Sequence, residues 1–185
     1  MIRTFLTLVY TEVNMRIAML VEEMYEEIEL LYPLFRLREE GFTIDIVGTD
    51  KGKEYKGKHG YPMVSDLASS EVRADDYDAV IIPGGYSPDK MRRCPDTIRF
   101  VKDMNNKGKL IAAICHGPWM MASCCDLRGK KVTGFFSIKD DLVNAGADYV
   151  DSEVVVSGNL ITSREPQDLT AFTKEIIKAL KAQDR

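Results

Sequence analysis

The chain has 185 residues, 45% of them hydrophobic and 29% charged, with 13 glycines and 7 prolines; this excludes a fibrous or disordered polymer and suits one domain that buries roughly 70% of its unfolded surface. A net charge of −4 and an isoelectric point near 5.3 argue against a nucleic-acid binder, which needs a basic face to displace counterions. No apolar run approaches the ~20 residues that span a bilayer, and four cysteines (Cys94, Cys115, Cys124, Cys125) with no CxxC pair or regular framework point to reduced thiols in the cytoplasm.

In chain order, residues 1–14 contain a short apolar patch, Phe5 to Tyr10, without the basic flank or cleavage site of a signal peptide. They read as a dispensable N-terminal extension, and residues 15–185 as the single domain. Arg16 to Val21 predicts a strand, Glu22 to Tyr25 a turn, and Glu26 to Glu40 a helix with Ile28, Leu31 and Phe35 on one face. Pro33 denies that helix a hydrogen bond to the Glu29 carbonyl and predicts a kink, and Gly41 closes it. Thr43 to Val47 alternates as a strand, and the glycine-rich 48–60 stretch, with four lysines between Lys51 and Lys58, reads as a solvated hairpin.

Ala79 to Ile82 and Leu110 to Ile114 are continuous apolar runs, as expected of strands buried on both faces. The first stops at Pro83-Gly84-Gly85, with a helix from about Asp96 to Asn106 beyond it. The second runs directly into Cys115-His116-Gly117-Pro118 and a helix through Cys124. A strand near 131–133, a helix over 138–145, a hairpin from Val154 to Thr162 and a final helix from Pro166 to about Ala182 complete the pattern. Strands alternating with helices predict an α/β fold, a mostly parallel sheet covered on both faces.

In such sheets, sites lie outside the carboxyl ends of the strands. Three segments leave those ends: Glu22–Glu29, Pro83–Asp89 and Cys115–Pro118. Cys115 on a strand-to-helix elbow is the candidate nucleophile, with the helix start and its unpaired N–H groups expected to lower its thiol pKa. A buried structural cysteine is the plainer alternative. Gly117 permits the turn and a close approach. The N–H groups of Gly85 and His116 are candidates for an oxyanion hole, although Gly84 and Gly85 could equally serve a turn. Glu26 and Glu29 share a helix face; most such pairs are solvated, but Glu29 turned inward beside a thiolate would have a raised pKa and donate a hydrogen bond. The histidines, His59 and His116, are too few for a zinc site, and neither GxGxxG nor a P-loop follows the first strand, so no metal or cofactor is expected.

The segments Glu26-Glu27-Ile28-Glu29 with Tyr32-Pro33, Lys56 to Gly60, Pro83 to Asp89, Ala113 to Pro118 and Thr162 to Leu169 together resemble the PfpI-like intracellular protease family, part of the superfamily that includes the parkinsonism-associated deglycase. The resemblance spans about Met15 to the C-terminus. It implies a flavodoxin-like three-layer sandwich assembled as dimers or hexamers. It also implies Cys115 as nucleophile, Glu29 bonded to it, Gly85 and His116 as oxyanion hole, and His116 completed by an acid from a neighbouring subunit. The matching position is Asp89, where a Glu is common, which predicts an active site shared between subunits. Implied activities are weak peptidase action, methylglyoxal conversion and deglycation, so the substrates would be small carbonyl compounds, peptides or glycated protein. Two departures bear on substrate choice: Phe135 stands where some relatives have an aromatic hydroxyl, and Met24 where an acid is frequent. A glutamine amidotransferase would need a later His, and none follows His116. The rival from another class is a redox sensor or chaperone in which Cys115 is oxidised without turnover.

Overall fold

The computed structural model describes residues 15–183, so the expectation for residues 1–14 lies outside the described residues. The chain enters the sheet through β1 (Arg16–Leu20), crosses by α1 (Glu27–Glu39) and returns in β2 (Thr43–Gly48). A hairpin, β3 (Glu54–Lys56) and β4 (Pro62–Val64), stands outside the main sheet, and β5 (Leu67–Ala68) comes back to the sheet edge. Next come β6 (Ala79–Ile82), the short helix α2 (Ser87–Met91), α3 (Pro95–Asn106), β7 (Leu110–Ile114) and α4 (Pro118–Cys124). A small parallel pair, β8 (Lys131–Val132) and β9 (Asp148–Tyr149), brackets α5 (Lys139–Asn144). The hairpin β10 (Val154–Ser157) and β11 (Leu160–Ser163) leads into α6 (Leu169–Gln183).

The main sheet has seven strands in the order β10-β11-β7-β6-β1-β2-β5, parallel throughout except for β10 against β11. This is the mostly parallel sandwich expected from the sequence. Alternate residues of each inner strand feed different layers. Ile17, Met19, Ala79, Ile81, Ala112 and Ile114 pack under α1 and α6 with Leu30, Leu34, Leu37, Phe172 and Ile176. Ala18, Leu20, Val80, Ile82, Ile111 and Ala113 pack under α3 and α4 with Phe100, Met104, Met120 and Met121. At roughly 1.5–3 kcal/mol for each large apolar side chain fully buried, these two layers supply most of the driving force for folding.

Two local expectations change. The hairpin spans 54–64 rather than 48–60, because the turn is set where the Gly57 N–H meets the Tyr61 carbonyl at 3.0 Å and the Gly60 N–H meets the Gly57 carbonyl at 3.0 Å. Residues 87–91, to which the sequence pattern assigned no helix, form α2, with Pro88 in its first turn. The helix read over Glu26–Glu40 is present as α1, which carries the buried Pro33 inside it and runs on to Glu39. The strand order reverses direction at β1, with β2 and β5 running outward on one side and β6, β7 and β11 on the other, and the crevice above that point is where open α/β sheets place their ligands.

Candidate active site

The loops leaving β1 and β6 are stitched to one another above the sheet. The Tyr86 N–H donates to the Met24 carbonyl at 2.8 Å, the Glu26 N–H donates to the Gly84 carbonyl at 3.3 Å, and Tyr25 bridges Gly85. Met24 and Gly85 both take left-handed backbone angles, φ 67° and 71°, and any Cβ on Gly85 would strike the Met24 carbonyl. Cys115 leaves β7 next door. Its N–H donates to the Ser163 carbonyl at 3.1 Å, its carbonyl accepts the Phe135 N–H at 2.9 Å, and its φ of 61° is a strained value for a residue with a side chain. The strain turns Sγ out of the sheet at the elbow, as the sequence suggested. Gly117 lies so close to the Ile82 and Ile114 carbonyls that no side chain fits there.

Glu29 is completely buried, and its Oε2 accepts the Gly84 N–H at 2.8 Å. A Cβ on Gly84 would sit 2.6 Å from that oxygen, 2.7 Å from Cys115 Cβ and 2.9 Å from the His116 nitrogen. Gly84 is therefore a spacer that lets carboxyl, thiol and elbow meet, and its φ is not in the left-handed region. Burial pushes the Glu29 carboxyl up to about 7 against the pull of the Gly84 N–H, and Oε1 has no hydrogen-bond partner of good geometry among the described residues. The Cys115 thiol, 8% exposed, is pushed upward by burial first and by the Glu29 charge second, while the N–H groups of His116 and Gly85 aimed at Sγ pull the other way. This corrects the expectation of a thiol with a simply depressed pKa. Charge on the carboxyl raises the cost of charge on the thiol, so the two groups titrate as a coupled pair.

The His116 ring turns back over the thiol: its Nδ1 lies 3.3 Å from Cys115 Sγ and its Nε2 3.2 Å from Ser137 Oγ. The ring stacks on Phe135, centroids 5.1 Å apart, and meets Trp119 edge-on at 5.9 Å. Burial and the Lys58 charge lower its pKa, which keeps the imidazole neutral at pH 7 and able to accept a proton.

Glu26 is at the cleft, and its Oε2 accepts from Lys58 Nζ at 2.7 Å. Lys58 is exposed on the hairpin, as expected, and also lines the cleft. Glu27 accepts the His59 N–H at 2.6 Å and lies 2.9 Å from His59 Nδ1. Glu26, Glu27 and His59 hold potential metal-ligating atoms within 4.8 Å of one another, but Lys58 and the His59 N–H already occupy these carboxylates. Asp89 lies on α2 and pairs with Arg93; it has no bond to His116 of its own chain.

Around Cys115 and His116 these elements leave a cleft of about 480 Å³, walled by Met24, Glu26, Lys58, Tyr86, Phe135 and Pro166. Sequence reasoning missed Lys58, Ser137 and Tyr86. The KGKHG segment held the signal for Lys58, since its glycines let the hairpin fold back onto α1. The cleft brings together a thiol, a buried carboxyl beside it, a neutral imidazole and two backbone donors.

The family model described as DJ-1/PfpI matches residues 15–179. A deglycase of Pyrococcus abyssi is 44% identical over 167 residues, covering 90% of this chain and 100% of the relative. The deglycase PfpI of Pyrococcus furiosus is 42% identical, covering the same 90% of this chain and 100% of its own. A crystal structure of a two-domain Anabaena variabilis protein with DJ-1/ThiJ/PfpI-like and ferritin-like domains superposes with a TM-score of 0.88 at 46% identity. That match covers 90% of this chain and 48% of the other, so this chain spans about half of that two-domain protein. No helix among the described residues is long and apolar enough to cross a membrane.

Proposed function

The chain belongs to the DJ-1/PfpI family, and from that premise we propose that it is a cysteine-dependent hydrolase of carbonyl-adducted amino groups or peptides, with Cys115 as nucleophile. The observation that carries this reading is the strained Cys115 elbow at the cleft floor, its Sγ between a buried carboxyl and two backbone N–H groups.

The active form has the shared proton on Glu29 and the charge on sulfur. A thiolate there receives the Gly85 and His116 N–H groups, and a protonated Glu29 turns its unpartnered Oε1 into a donor. An ionised Glu29 would leave that oxygen buried and unpaired, which costs several kcal/mol as an order of magnitude. Sγ then attacks the carbon that bears the substrate nitrogen. A C–S bond forms, the proton held on Glu29 goes to the nitrogen, and the C–N bond breaks, leaving the neutral imidazole of His116 to take the next proton from water. Where the attacked carbon is a carbonyl, the charge on its oxygen falls beside the donors that had held the sulfur. Water delivered against the neutral imidazole releases the carbon fragment and returns the thiol. Asp89 of a second copy, reaching across a two-fold interface, would fix the His116 tautomer, and in this reading the active species is a dimer or a hexamer built from dimers.

The test is to assay wild type and Cys115→Ser in parallel on methylglyoxal, a methylglyoxal-treated peptide and an unmodified peptide. Wild type is expected to turn over at least one of them, and the variant to lose at least ~100-fold of that rate with its melting temperature nearly unchanged. Turnover that survives in Cys115→Ser would overturn the assignment, and the preferred substrate separates deglycase from peptidase.

A further inference from the structure

Cys94 follows α2 and is the capping residue of α3. Its backbone is extended, φ −96° and ψ 112°, its carbonyl accepts the Ile98 N–H at 3.1 Å, and Pro95 opens the first turn. At this position Ser, Thr, Asp or Asn usually accepts a hydrogen bond from the N–H two or three residues on. Cys94 closes no such bond. The N–H groups of Asp96 and Thr97 and the Thr97 hydroxyl are nevertheless within reach of Sγ and favour its charged form, and Ser69 Oγ lies 3.6 Å from it.

A second observation points to an acceptor missing from this place. Thr97 is 3% exposed, and its Oγ1 has no hydrogen-bond partner among the described residues, although a hydroxyl in a helix ordinarily bonds back to a carbonyl one turn earlier. Sulfur is a weak, diffuse acceptor and leaves these donors under-satisfied. An oxygen bonded to Sγ would stand among them. Cys94 is also partly exposed, so a small reagent can reach it, and the nearest carboxylate on its own helix, Asp96, is held by Arg99 at 2.6 Å.

We propose that Cys94 is a second reactive thiol, oxidised by hydroperoxides to a sulfenate whose oxygen is held by the Asp96 and Thr97 N–H groups and the Thr97 hydroxyl. The Cys94 thiolate attacks one peroxide oxygen, an S–O bond forms and the O–O bond breaks. The departing oxygen takes a proton from solvent and leaves as water or an alcohol. Sulfur is oxidised by two electrons and the peroxide reduced by two. Cys124 and Cys125, whose thiols burial pushes up to about 12, serve as internal controls.

The experiment treats the full chain, in wild type and in Cys115→Ser, with dilute hydrogen peroxide and dimedone, and follows each cysteine peptide by mass spectrometry. The Cys94 peptide is expected to gain the adduct at least ~10-fold faster than the Cys124–Cys125 peptide in both proteins. Thr97→Val should slow Cys94 several-fold, and Thr97→Ser should restore it. Equal rates at Cys94 and Cys124–Cys125, or a Thr97→Val rate equal to wild type, would overturn the proposal. Should Thr97→Val fail to fold, the ratio of peptides in the other two proteins decides. Because the Cys94 adduct is read in Cys115→Ser as well, this result does not depend on the role assigned to Cys115.

Discussion

Cys115 stands before α4 and Cys94 before α3, each with a proline opening the helix, yet their surroundings act on them in opposite directions. Burial and the Glu29 carboxyl push the Cys115 thiol up, whereas Thr97, Ser69 and the Asp96 N–H outweigh burial at Cys94 and pull it down. The difference lies in where the donors are. At α4 the opening N–H groups are already engaged: Gly117 donates to Ile114, Trp119 to His116 and Met120 to Gly117, at 2.7 to 3.0 Å. The donors that reach Cys115 Sγ come from His116 and, across the strand gap, from Gly85. A position before a helix therefore does not set a thiol's acidity. The donors left open, and any carboxyl that competes for them, decide it.

The largest expected effect tests how tightly the Cys115 side of this comparison is built. Gly84→Ala would place a methyl 2.6 Å from Glu29 Oε2 and 2.7 Å from Cys115 Cβ, and neither the strand end nor the elbow has room to give. The variant should lose roughly 1–3 kcal/mol of stability from overpacking and at least ~100-fold of turnover from displaced reacting groups. Thermal melts and rates measure both. A variant with wild-type rate would mean that thiol and carboxyl do not depend on this close approach, and the contrast with the open Cys94 surroundings would fail.

Glu29→Gln comes next. The Glu29 carboxyl is raised from an ordinary 4.5 to about 7, so the folded state binds its proton more tightly than the unfolded chain does. Stability from this site is fully present below about 4.5 and falls as pH rises through about 7, by on the order of 3 kcal/mol in all. Glutamine cannot lose that proton. The variant should match wild type near pH 5, exceed it at pH 8 to 9, and show no loss across the window attributable to this site. Denaturant melts at several pH values measure the difference. Parallel curves for the two proteins would show that folding does not raise the Glu29 carboxyl, and Cys115 would then differ from Cys94 by burial alone.

The sheet was legible because Ala79–Ile82 and Leu110–Ile114 are apolar without alternation, a pattern that only strands covered on both faces explain. Cys115 was legible because its run ends without a turn residue and a helix follows at once. The direction of its thiol shift was not. That depends on Glu29, separated from it by the whole of β2 to β7, and on a desolvation that no spacing encodes. The place of Lys58 at the cleft was not legible for a similar reason: its partner Glu26 is 32 residues away, and charge density along the chain does not show that an exposed hairpin lysine also borders a cleft. Asp89 was seen as a candidate, but its own-chain partner was not, because Arg93 lies one helical turn on from it, at i+4, and the sequence pattern had assigned no helix there.

The smallest expected effect is the most direct probe of the open donors at Cys94. Serine at that position keeps the side chain's length nearly unchanged but presents oxygen, a far better acceptor for the N–H groups of Asp96 and Thr97. If those donors are under-satisfied by sulfur, Cys94→Ser should close the cap and stabilise the protein by about 0.5–1 kcal/mol. In a chain of this size that is a rise of roughly 1–4 °C in melting temperature. The same exchange at Cys115 should bring no such gain, because α4 has its opening N–H groups paired already and the hydroxyl would sit in a strained elbow beside a buried carboxyl. Both variants replace sulfur by oxygen before a helix, so the intrinsic change in side-chain chemistry cancels between them. What remains is the difference in donors: a gain confined to position 94 sharpens the contrast, and equal shifts at 94 and 115 would break it.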